Sequence, residues 1–172
     1  AGQSKKIVYS LFSRETANVF ISNIRFIHRT FIGFISGKIV DSIIIGIICY
    51  VGTNLMGTPY AMLVSVIIGV TNVIPFFGPY MGAIPSAFLI LMVNPPQCLY
   101  FIIFILILQQ FDGNILGPKI LGDSTGLGSF WVIFSITLFG GIFGILGMII
   151  GVPVFAVIYA GIKAITNRRL EE

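Results

Sequence analysis

The sequence predicts an all-α fold: a polytopic membrane helical bundle with broken or re-entrant helix hairpins and an N-terminal amphipathic helix. Three observations predict it. Of 172 residues, 56% are hydrophobic and 9% charged, where a soluble domain carries about a quarter charged residues. Mean hydropathy is +1.03, so lipid serves as solvent for much of the surface. Between Lys38 and Ile162 the only charges are Lys38, Asp41, Asp112, Lys119 and Asp123, while the other basic residues sit towards the two ends.

Each element can be justified in order. The start, "AGQSKKIVYS", has no apolar core and no initiator Met, and reads as a truncated or processed N-terminus rather than a signal peptide. In residues 16–36, Phe20, Ile24, Ile27 and Phe31 recur on one helical face, and Asn18, Ser22, Arg25 and Arg29 on another. That pattern suits a helix at the membrane interface, or equally one packed on another domain. Residues 1–36 are therefore assigned to a cytoplasmic or interfacial segment, 37–166 to a transmembrane transport domain and 167–172 to a cytoplasmic tail. His28, the lone histidine, is expected to be solvated or interfacial.

"KIVDSIIIGIICYVGTNLM" (38–56) has the length of a first span. Residues 60–72 and 80–93 are two short apolar pieces around the break "NVIPFFGPYMGAIP" (Asn72–Pro85), with three prolines and two glycines. "QCLYFIIFILILQQFD" (97–112) is a further apolar element, and 113–128 reads as a Gly-rich loop. The apolar run 129–162 is too long for one ordinary span and is predicted to bend around Gly140–Gly147. Basic flanks at both ends place both termini on the cytoplasmic side. The number of crossings is then even: six if 60–93 crosses twice, four if it is re-entrant.

The segments 76–90 and 142–158 each carry a Phe-Gly, a later Gly, a Pro and an apolar tail, at offsets that differ by two residues. Such broken apolar segments point towards a substrate path in transporters. The alternative is that glycines simply let helices pack closely.

The motifs "IPFFGPYMGAIP", "GNILGPKILG" and "GGIFGILGMIIGVPVFAVIYAGI" occur in that order. Together they resemble the C-terminal part of the autoinducer-2 exporter family, over about Phe34 to Ile162. Ile74, Pro75, Gly78, Pro79 and Pro85 match the first motif. Asn114, Pro118, Lys119 and Gly122 match the second, and Gly140, Gly141, Gly144, Gly147 and Pro153 the third. Family members often carry a His-Pro after Gly-Leu; "GLGSFW" has Gly128 and Ser129 there, so no role of that His-Pro carries over. Members are considerably longer, with further spanning helices upstream.

The resemblance implies a multi-pass protein of the bacterial inner membrane that exports a small polar signal or solute, autoinducer-2 being one. Some members are described instead as sodium–proton antiporters, which makes a monovalent cation the alternative cargo. It also implies a homo-oligomer, a pentamer being one assembly it suggests.

The residues name a candidate path. Asn72, Pro75, Phe76, Phe77, Gly78 and Pro79 form non-helical backbone of the kind tolerated at membrane depth where it lines a cavity, with Phe76 and Phe77 as an apolar wall or gate. Gln109 and Asp112 share a helix face, with Asn114 just beyond, and could bind a cation, a proton or a polyhydroxylated solute. Lys38 and Asp41, three apart, can pair. Alternatively Lys38 snorkels to the interface and Asp112 is solvated at a helix end.

Several classes are disfavoured. One histidine and no close carboxylate pair in sequence argue against an enzyme, whether an intramembrane protease or a magnesium-dependent prenyl transferase. No cofactor or metal is expected: Cys49 and Cys98 read as packing residues. No basic patch suits nucleic acid. A non-transporting scaffold is the remaining alternative.

Overall fold

The computed structural model describes residues 14–121 and 126–170. The described residues are helical, without strands: α1 (Arg14–Leu55), α2 (Ala61–Thr71), α3 (Phe77–Val93), α4 (Pro95–Phe111), a π turn (Asp112–Leu116), α5 (Gly117–Leu121) and α6 (Ser129–Leu170).

The expected amphipathic helix and the first span are one element. α1 runs 42 residues, about 63 Å at 1.5 Å per residue, roughly twice a ~30 Å hydrocarbon core. No proline interrupts it, and Gly33 and Gly37 cost only about 1 kcal/mol each inside a helix. Residues 24–29 are exposed on every side, His28 among them.

At the far end Gly57, at φ 66°, terminates α1, and the Thr58 amide closes onto the Thr53 carbonyl. α2 then runs back antiparallel along α1. The Thr53 and Ser65 hydroxyls meet at 3.3 Å, and a β-carbon on Gly69 would lie 3.1 Å from the Gly46 Cα. Lower down, Asn72 Nδ2 donates to Asp41 Oδ2 at 3.2 Å.

With 11 residues α2 is about 16 Å long, too short to cross the core. α3 returns against it, and a β-carbon on Gly78 would lie 2.8 Å from the Thr71 carbonyl carbon. The α2–α3 pair is thus a helical hairpin with its tip at residues 72–76.

α4 begins where the Asn94 side chain caps the Gln97 amide and Pro95 and Pro96 occupy positions that need no donor. Gln97 Nε2 donates to the Met56 carbonyl at 2.6 Å, tying this start to the end of α1. α4 then descends past Gly52, over which the Phe104 ring sits. Ile45, Cys49, Val64, Ile68, Ile90, Cys98 and Phe101 form the core between these four helices. Both cysteines are buried and free, in packing positions as expected.

The expected loop at 113–128 is largely helical up to residue 121, while 122–125 lie outside the described residues. Pro118 explains the local form. A proline ring clashes with the carbonyl four residues earlier in an α-helix, and the wider π turn removes that clash, with the Gly117 amide reaching back to the Asp112 carbonyl.

α6 folds back on itself at Gly144, where φ 61° and ψ −142° interrupt the helix. That conformation is essentially restricted to glycine. Trp131 stacks on Phe155 with ring centroids 5.5 Å apart, whereas a straight helix would separate these residues by about 36 Å. The predicted bend is therefore a hairpin. Its arms touch through Gly140, beside the Met148 side chain, and Gly147, where a β-carbon would lie 2.6 Å from the Phe139 carbonyl carbon. Gly141 serves neither purpose: nothing lies within 4 Å of a β-carbon there. Pro153 is buried in the second arm. The hairpin packs on α1 through Ile136, Val152 and Phe34. Both Phe-Gly segments thus fall at chain reversals, the first spread over residues 72–76 and the second concentrated at Gly144.

Candidate functional site

The tip of the α2–α3 hairpin breaks for a local reason. Pro75 has no amide hydrogen and pushes Ile74 away from helical geometry. The chain turns through hydrogen bonds from Ile74 N to Thr71 O (3.0 Å) and Phe77 N to Pro75 O (2.7 Å). Phe76 is left at φ 62° and ψ −52°, a conformation costing about 1–3 kcal/mol in a residue other than glycine.

Beside this tip the chain gathers its buried charges. Lys38 Nζ donates to Asp41 Oδ2 at 2.6 Å, so Lys38 does not snorkel but pairs. Asp41 is fully buried, and Asn72, 1% exposed, shares the same carboxylate oxygen. Asp112, delivered by the π turn, is 7% exposed and interacts with Lys38, Asp41 and Asn72. Two carboxylates therefore face one ammonium. Four polar atoms of this neighbourhood are buried without a hydrogen-bond partner: Asp41 Oδ1, Asn72 Oδ1, Asp112 Oδ1 and Gln109 Nε2. Buried polar groups are paired as a rule, with protein or with ordered water.

A cavity of ≈ 660 Å³ opens onto the cluster, a size typical of small-molecule sites. Pro75, Phe76, Pro79, Gln109, Asp112 and Asn114 line it together with Lys38. Asp41 and Asn72 sit behind this wall. Besides Asn72, two expected path residues do not line the cavity. Phe77 is exposed away from the cavity lining, and Gly78 is spent on the close approach to Thr71. Asn114 lines the cavity, but its amide nitrogen is already bonded to the Gln110 carbonyl and side chain. The glycines of α6 and Pro153 are not among the lining residues.

Phe34, Tyr80, Ile105, Leu106, Val132 and Val152 also line the cavity. They carry no sequence signal, because apolar residues fill this chain and only the fold selects which of them converge. Among the described residues no group of His, Cys, Asp and Glu could hold a metal ion. A second hollow, ≈ 610 Å³ between α1 and α2, is walled mainly by apolar side chains and shares no residue with the first.

A family profile described as AI-2E family transporter matches residues 3–167. The chain is 35% identical over 150 residues to "Putative transport protein YueF" of Bacillus subtilis, covering 83% of this chain and 41% of that protein. It is 36% identical over 125 residues to YrrI of the same organism, named likewise, covering 73% and 35%. A third relative, "Putative permease PerM" of Escherichia coli, is 29% identical over 133 residues, covering 76% and 38%. The chain thus spans about two fifths of the length of these relatives. No solved structure matches it. Among the described residues, three helices are long and apolar enough to cross a membrane, one of them folded back at Gly144. The chain is a membrane protein and belongs to the AI-2E transporter family.

Proposed function

We propose that this chain forms part of the solute path of a bacterial inner-membrane transporter, and that the path runs through the cavity beside the α2–α3 tip. One observation carries the reading: Gln109 and Asp112, each with a buried side-chain atom that has no protein partner, line a cavity at a helix break. Irregular backbone at membrane depth is tolerated where it lines such a space, and broken helices build the binding sites of many transporters. The cargo is a small solute that donates hydrogen bonds, because Asp112, the one carboxylate among the lining residues, accepts them. Family resemblance makes a small polar signal such as autoinducer-2 the first solute to test.

Flux into proteoliposomes is the test. Asp112→Asn keeps shape and removes charge, and Asp112→Leu removes both. With a neutral solute, Asp112→Asn is expected to keep most of the flux and Asp112→Leu to lose about tenfold or more. Flux equal to wild type in both variants would sink the reading.

Sodium–proton antiport is the second reading, favoured by the excess of carboxylates over ammonium groups in the cluster. Under it, Asp112→Asn alone abolishes coupled flux while the protein still inserts.

The same reading sets the topology. α1, α4 and the two arms of α6 cross, while α2–α3 enters and turns back without crossing, so both ends lie on the cytoplasmic side. Cysteine labelling at positions 4 and 167 is expected to give the same sidedness. Opposite sidedness would overturn the four-crossing arrangement.

A further inference from the structure

We infer that the cavity selects an organic ammonium ion, a protonated amine with an apolar body, whose head meets Asp112 and whose body lies against Phe34, Phe76 and Tyr80. This rests on the cavity being the solute path and names the class of solute its walls prefer.

Charge comes first. The groups facing the cluster are Lys38 and Asp41 from α1, Asn72 from the tip, Gln109 from α4 and Asp112 from the π turn. Neither α3 nor α6 adds a charged residue to the lining. Lys38 is committed to Asp41 at 2.6 Å, which leaves the Asp112 carboxylate as the uncompensated charge. An anionic solute would add a third negative charge at close range. A monocation brings the cluster to neutrality.

Hydrogen bonding points the same way. Asp112 is the one carboxylate among the lining residues, and when ionised it accepts at both oxygens; Asp41 and Asn72 lie behind it. A primary ammonium carries three donors and no acceptor, which suits that carboxylate. A neutral hydroxyl supplies only one donor.

The walls separate an organic from an inorganic cation. A bare metal ion offers nothing to Ile105, Leu106, Val132 and Val152, which also line the cavity. An amine with a hydrocarbon body buries that surface, and the Phe34, Phe76 and Tyr80 rings can face its charge.

The experiment compares 2-phenylethylammonium with its neutral near-isostere 2-phenylethanol, titrated calorimetrically into the chain in lipid nanodiscs at neutral pH. The ammonium is expected to bind about tenfold or more tighter than the alcohol. Asp112→Asn, with a melting temperature matching wild type, should remove that preference, so that the two probes bind within about threefold of each other. Phe76→Leu should weaken the ammonium roughly threefold, through the lost ring face. Equal binding of the two probes, no measurable binding of the ammonium, or a preference that survives Asp112→Asn overturns the inference. The path reading is judged separately by flux. Flux lost in Asp112→Leu without ammonium preference keeps the path and removes the amine, and ammonium preference with unaltered flux does the reverse.

Discussion

Asp41→Ala is expected to destabilise the chain by about 3–5 kcal/mol, the typical result of removing one partner from a buried ion pair. The Lys38 side chain is 9% exposed and its ammonium is held at 2.6 Å by a fully buried carboxylate. Removing Asp41 leaves that ammonium in a site with little water and strips Asn72 Nδ2 of its acceptor. The double replacement Lys38→Met with Asp41→Leu should return to within about 1 kcal/mol of wild type, because well-packed apolar residues often replace such pairs without loss. Denaturant unfolding in detergent micelles reads both. A loss below 1 kcal/mol in Asp41→Ala would mean that water reaches the pair and that the site is wet.

The second large effect is expected at Gly147. An alanine β-carbon there would lie 2.6 Å from the Phe139 carbonyl carbon. Backbone cannot swing aside as a side chain can, so the two arms of α6 must separate, at a cost of about 1–3 kcal/mol or more. Trp131 is the single tryptophan and stacks on Phe155 and packs near Tyr159 across the hairpin. Its emission should shift to the red in Gly147→Ala, with a lower melting temperature. Gly141→Ala is the matched control, since its β-carbon enters open space and alanine favours the helix. Identical emission and melting in Gly147→Ala and wild type would refute close packing of the arms.

The parts of the fold that sequence reading reached are those written in backbone chemistry. Pro75 and Pro79 mark the tip, and a glycine within the predicted 140–147 window, Gly144, makes the reversal in α6. Charges in an apolar chain are few enough to pair by spacing alone, which is why Lys38–Asp41 was legible. The continuity of α1 was not, because an amphipathic stretch followed by an apolar one looks the same whether or not a break lies between them. The Gly-rich stretch after Asp112 misled for a related reason: glycine and proline lower helix propensity, but a π turn absorbs both. At the site, Asp112 and Gln109 were visible as polar residues in an oily helix. The meeting of Asp112 with Asp41 and Asn72, 71 and 40 residues earlier in the chain, depends on tertiary packing.

The left-handed backbone of Phe76 has a consequence for how this protein would respond to selection. A glycine would occupy φ 62° and ψ −52° with less strain, so a library screened only for heat resistance should drift towards glycine at position 76. Phe76 is also 49% exposed, and its loss would cost little burial to offset the gain. A library screened for transport should hold the aromatic ring. The two enriched pools would then diverge at this one codon, and the divergence would measure how much stability the chain gives up to keep a ring at the mouth of its cavity.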